Sequence, residues 1–128
     1  MSALSDHSEN LLLDWLMTGG SATRPTTWYL ALYTAAPNDA GGGTEVSTGG
    51  YARQTIAFNA ASGGTTSNSA DVSFTAVGGD YGTVTHMGIF DAASSGNLLW
   101  HGVLSASKTV EDGDTITFSA GNIDLTMA

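Results

Sequence analysis

The residue types able to do chemistry are few and scattered. The three histidines are His7, His86 and His101. His7 falls in the first turn of a predicted helix, where a solvent-exposed neutral imidazole is the plain assignment. His86 and His101 fall on the two arms of a predicted hairpin. If Asp91 faces Asn97, His86 faces Gly102 and His101 points to the other sheet face; a slip of one residue would pair the two histidines. No third ligand is spaced to complete a tetrahedral metal set, so both are assigned as polar sheet residues near Trp100. There is no cysteine, hence no thiolate nucleophile, disulfide or Cys-ligated metal. Ser, His and acid residues are present without the spacing of a nucleophile elbow. The run EDGD (111–114) lacks the alternating ligands and terminal Glu of an EF-hand loop, and a type I′ turn at Asp112-Gly113 explains it without an ion. PNDAGGGTE has glycines but no lysine, so it is not a phosphate-binding P-loop. Most carboxylates lie beside turns, which favours solvation over glycosidase-type pairing. The expectation is a protein with no catalytic residue, no cofactor and no metal.

Three cations, Arg24, Arg53 and Lys108, stand against twelve carboxylates, giving a net charge of −9 and a pI near 4.2. No basic patch can offset phosphate charge, which argues against nucleic acid and against anionic membrane surfaces as partners. Arg53 lies inside YARQTIAF (51–58), which reads as a strand. If Ile56 and Phe58 point inward, parity sets Tyr51, Arg53, Thr55 and Ala57 on the opposite face. A planar guanidinium there is expected to bridge a neighbouring strand or subunit through a carboxylate. The aromatic residues Trp15, Trp28, Trp100, Tyr29, Tyr33, Tyr51 and Tyr81 fill a core and an oligomer interface, or, if exposed, stack on sugars.

These side chains need a scaffold. Residues 6–17 read as the single helix, with Asp6 as cap, Glu9 as its capping-box partner and Gly19-Gly20 as the stop. Leu11, Leu12, Leu13, Trp15, Leu16 and Met17 cover most of its circumference, and a helix apolar almost all round needs burial on more than one side. From residue 27 the pattern changes to period two. TWYLALYT (27–34), YARQTIAF (51–58), ADVSFTA (70–76), GTVTHMGIFD (82–91), GNLLWHGVLS (96–105), TITFS (115–119) and NIDLTM (122–127) read as strands, the fourth and fifth as a hairpin. The predicted fold is mainly β: a single antiparallel β-sandwich, jelly-roll-like, with one short N-terminal α-helix, in one domain spanning 1–128 with the sandwich over about 27–127. The loops 36–50 and 59–69 are rich in Gly, Ser and Thr. No fibre-shaft repeat, signal peptide or membrane-length apolar run is visible, so synthesis in a cytoplasm is expected.

Taken together, YLALYTAAP (29–37), TEVSTGGYARQTIAF (44–58), SNSADVSF (67–74), YGTVTHMGIFDA (81–92), GNLLWHG (96–102) and SKTVEDGDTITFSAGNIDLT (107–126) are similar to a group of small tailed-bacteriophage virion proteins, tail-fibre-like or capsid decoration (cement) proteins. The resemblance spans nearly the whole chain and brings no catalytic residues with it. It implies a non-enzymatic structural protein on the outer surface of the virion, made in the host cytoplasm. Its partners would be the major capsid protein or other virion proteins, and itself as a trimer or dimer. Short length and the lack of shaft repeats favour capsid decoration. The alternative is a tail-fibre or tail-tip component that touches host glycans, and a small glycan-processing enzyme is the third reading. The interface candidates are Leu11, Leu12, Trp15, Leu16, Tyr51 and Arg53.

Overall fold

A computed structural model describes residues 2–127. Its spine is β2 (Trp28–Ala35), buried on both faces through its middle. Alternation explains this: Leu30 and Leu32 enter the main core, while Ala31 and Tyr33 enter a smaller apolar cluster with Phe90 and Leu98 on the other face. Around β2 lies a six-stranded sheet built from β1 (Ser2–Leu4), β8 (Leu98–Val110), β7 (Gly82–Phe90), β2 and β3 (Thr44–Glu45) in that order, with β4 (Gln54–Ile56) also pairing with β2. Two antiparallel ribbons cover its inner face: β6 (Val72–Thr75) with β9 (Thr115–Phe118), and β5 (Thr65–Ser67) with β10 (Asp124–Thr126). The core between sheet and ribbons includes Leu30, Leu32, Ile89, Phe74, Ile116 and Leu125. The protein is thus mainly β and antiparallel, as predicted, with one N-terminal helix.

β6 and β9 show the expected alternation. Val72 and Phe74 point inward, while Ser73 and Thr75 point outward and meet Thr117 and Thr115 across the ribbon, each hydroxyl pair 2.9 Å apart. Thr83 and Thr109 form a third such pair at 2.9 Å on β7 and β8. These rungs satisfy polar side chains on exposed strand faces without charge.

The β7–β8 hairpin forms as predicted, but its register is offset. Phe90 pairs with Leu98 and Ile89 with Trp100, so Leu99 is an extra residue in the ladder. That bulge makes His86 face Val103 rather than Gly102, and it places His86 and His101 on the same sheet face. The turn after β8 also departs from expectation. Gly113 has φ of 88° but Asp112 does not have positive φ, so the turn is not type I′. It joins strands that pair with different partners, carrying the chain from the sheet to the β6–β9 ribbon.

The helix α1 (Asp6–Leu13) starts one residue earlier in its capping than predicted. Ser5, not Asp6, is the cap: its Oγ accepts from the Ser8 amide at 3.3 Å and donates to the Leu98 carbonyl. Ser5 is buried at the end of β1, where a small hydroxyl serves both strand and helix and a carboxylate would be desolvated. Asp6 and Glu9 still occupy the first turn, the end that favours negative charge. The helix continues as a wider π-turn (Asp14–Thr18), closed by Gly19 at φ of 75°.

Candidate functional site

One edge of β2 carries both β4 and β3, end to end. β4 pairs with residues 28–30 and β3 with Tyr33 and Ala35. Between them the Leu32 carbonyl accepts from the Val46 amide at 2.9 Å, and the Tyr51 phenol takes the place of a strand acceptor for the Leu32 amide, which donates to its Oη at 3.0 Å. Tyr51 in turn donates to Glu45 Oε2 at 2.7 Å. Glu45 accepts two further hydrogen bonds from Arg53, Nε to Oε2 at 2.8 Å and Nη2 to Oε1 at 2.9 Å, the bidentate geometry a guanidinium favours. Arg53 Nη1 donates to the carbonyls of Ala92 and Ser95 at 3.0 and 2.8 Å, and the guanidinium lies 3.6 Å over the Phe90 ring.

The electrostatics follow from this packing. The Arg53 side chain is 8% exposed and that of Glu45 26%. Burial alone would raise the Glu45 pKa, but the hydrogen bonds from Arg53 and Tyr51 outweigh it and hold the carboxyl below its usual range. Burial likewise opposes the charge on Arg53, and Glu45 more than restores it. The Tyr51 phenol is driven far up, first by burial and then by its bond to Glu45; Tyr33 rises to about 12, by burial and then by the Glu45 charge. Neither phenol ionises near neutrality. The Tyr51 hydroxyl, both Glu45 oxygens and Nε, Nη1 and Nη2 of Arg53 all have structural partners, so the cluster works as a clamp on loop 36–50, the start of β4 and the hairpin tip 91–97. That tip is further held by Asp91, whose carboxyl accepts from the Asn97 amide at 2.7 Å and from its side chain at 3.0 Å.

Arg53 does lie on the sheet face opposite Ile56, as parity requires, since it covers Phe90 while Ile56 enters the main core. Tyr51 does not share its face. Its ring stacks in the main core on Phe74 at 6.0 Å and meets Tyr81 edge-on at 5.8 Å. Gly49 and Gly50 turn at φ of 67° and 66°, and the strand begins only at Gln54, so alternation does not extend back to residue 51. Nothing in the local sequence singles out Glu45 among the twelve carboxylates. The signal available was the Gly49-Gly50 turn, which folds the chain back on itself and brings residue 45 to residue 53.

The helix candidates form a second, separate feature. Leu11, Leu12 and Trp15 line an apolar groove of about 530 Å³ with Trp28, Trp100 and Leu125 opposite, and Arg24 is its one charged lining residue. Leu16 is not in that groove. It projects with Leu13 and Met17 from the other side of the helix end, and Leu13, Trp15, Leu16 and Met17 are 58, 57, 70 and 72% exposed. The expected second side of burial is therefore absent within this chain, among the described residues. His101 Nε2 sits 2.8 Å from Asp39 Oδ1 and His86 Nδ1 2.8 Å from Thr85 Oγ1. Among the described residues no three His, Asp or Glu side chains gather as a metal site, and no helix is long and apolar enough to cross a membrane.

This is a mainly β protein whose ionic cluster clamps loops and whose apolar helix end lacks a cover among the described residues, and the family that its sequence matches makes it a structural protein of a phage virion. The chain belongs to the podophage GP4 fiber I protein gp80 family, whose model matches residues 3–126. No curated protein matches it.

Proposed function

We propose that this virion protein is a non-enzymatic decoration, or cement, protein that binds the assembled coat lattice and stabilises it. The observation that carries an assembly role is the exposed apolar helix end, Leu13, Trp15, Leu16 and Met17, beside an apolar groove. A contiguous exposed apolar surface of this kind is characteristic of a protein–protein contact. The Gly-, Ser- and Thr-rich loops 36–50 and 59–69 offer uncharged backbone to a coat surface, and the Arg53 clamp holds the first of them in shape. A ligand that prefers the assembled state stabilises it by mass action, so many copies give a large total effect without catalysis. A tail-fibre location is the second reading, favoured by the description of the family as a fiber protein. Stained gels of purified virions separate the two. A ratio to coat protein near one supports cement, and heads lacking the protein should then lose heat resistance. A ratio far below one, with an antibody that blocks adsorption, overturns the cement reading in favour of a fibre.

A further inference from the structure

Among the described residues, the groove beside the helix has one charged lining residue, Arg24, which is exposed and makes no hydrogen bond or ion pair with them. The other two cations are engaged: Arg53 with Glu45, and Lys108 Nζ with the Thr115 carbonyl at 2.6 Å. On the far side of the helix end, Leu13, Leu16 and Met17 form an apolar knob. Beside it stands Asp14, exposed and likewise without a side-chain partner among the described residues. The chain therefore presents an apolar hole marked by one cation and an apolar knob marked by one anion.

We propose that the occupant of the groove is the helix tip of a second copy of this chain, residues 13–17, with its Asp14 meeting Arg24. The proposal rests on the reading above that the helix end is covered in the virion, and it names what covers it. Two observations favour self-contact over a different partner. First, one contact between copies covers both exposed apolar features, whereas an unrelated surface would have to supply a knob and a hole in matching places. Second, copies with a net charge of −9 repel, and this pairing brings the unengaged cation of one copy against a carboxylate of the next. Repeated around a closed set, every knob finds a groove: a dimer by reciprocal exchange, or a larger ring by passing the tip onward.

The test is light scattering on the full chain, with circular dichroism to verify folding. The wild type should be a dimer or small ring. Leu16→Asp, at an exposed position, should be a folded monomer. Asp14→Arg and Arg24→Asp should each raise the dissociation constant about 10-fold or more by setting like charges together. The double variant Asp14→Arg/Arg24→Asp should recover most of that loss. A monomeric wild type, or a double variant no better than either single one, overturns the proposal. If the wild type is monomeric while Leu16→Asp drops out of virions, another virion protein covers the helix: the self-contact is wrong and the assembly reading stands. An intact oligomer with a gel ratio far below one has the opposite meaning, sinking only the placement on the head.

Discussion

Replacing Arg53 with Ala removes the clamp at its centre. The variant loses a bidentate ion pair, two hydrogen bonds to the Ala92 and Ser95 carbonyls and the stacking on Phe90. It leaves the half-buried Glu45 carboxylate with the Tyr51 hydroxyl and its residual contact with solvent. Removing one partner of a fully buried pair costs about 3–5 kcal/mol, and the residual exposure of Glu45 sets the expectation at the lower end, about 3 kcal/mol. Against a typical total stability of about 5–15 kcal/mol this is a large loss. With a urea slope of about 1.5 kcal/mol/M the unfolding midpoint should fall by about 2 M. Glu45→Ala should cost less, because the remaining guanidinium keeps two carbonyl acceptors and the Phe90 face. The double variant should then fall well short of the sum, with a coupling of about 2 kcal/mol. A loss below about 1 kcal/mol for Arg53→Ala, with an additive double variant, would refute the clamp.

Glu45 has a depressed folded pKa, so its contribution is complete above its unfolded value near pH 4.3 and is lost as pH falls through the folded value. The stability gap between wild type and Glu45→Gln should therefore be flat above about pH 5 and narrow below it; a gap that stays constant in acid would contradict this. Asn68, fully buried, accepts from the Ile123 amide at 2.9 Å and donates to the carbonyls of Ala70 and Ser119 at 2.9 and 3.1 Å. Asn68→Ala should cost about 3 kcal/mol in urea unfolding by stranding these groups. Gly49 has φ of 67°, and a Cβ there would lie 2.6 Å from the Gly79 carbonyl oxygen, whereas Gly113, at φ of 88°, faces open space. Gly113→Ala should cost about 1 kcal/mol for its backbone alone, and Gly49→Ala clearly more; equal melting temperatures for the two would count against the tight packing at Gly49.

Where the chain alternates without interruption, sequence reasoning located both strands and faces. Trp28–Ala35 and Val72–Thr75 are examples, because burial imposes period two directly. It failed where tertiary partners define the element. β1, β3 and β5 are two or three residues long and exist because a neighbouring strand offers an edge, with no pattern of their own. The Leu99 bulge is invisible to an alternation count, since one extra residue in one strand changes the pairing of every residue beyond it. At the clamp, Arg53 and its need for a carboxylate were legible from charge scarcity. The identity of Glu45, the carbonyls at the hairpin tip and the inward turn of the Tyr51 ring all depend on a fold-back that local sequence does not encode. The apolar circumference of the helix was legible too, but not that it divides into a groove wall and a projecting knob.

The rungs of paired hydroxyls on β6–β9 and β7–β8 have a consequence for packing side by side in a particle. Ser73, Thr75, Thr115 and Thr117 are exposed, short, and already tied to one another across the ribbon. Ordering a long, mobile side chain at an interface costs about 0.5–1.5 kcal/mol in lost rotamer freedom. Here that freedom has been surrendered on folding, so a neighbour laid against these faces meets a surface that is already stiff and uncharged, with little motional entropy left to lose.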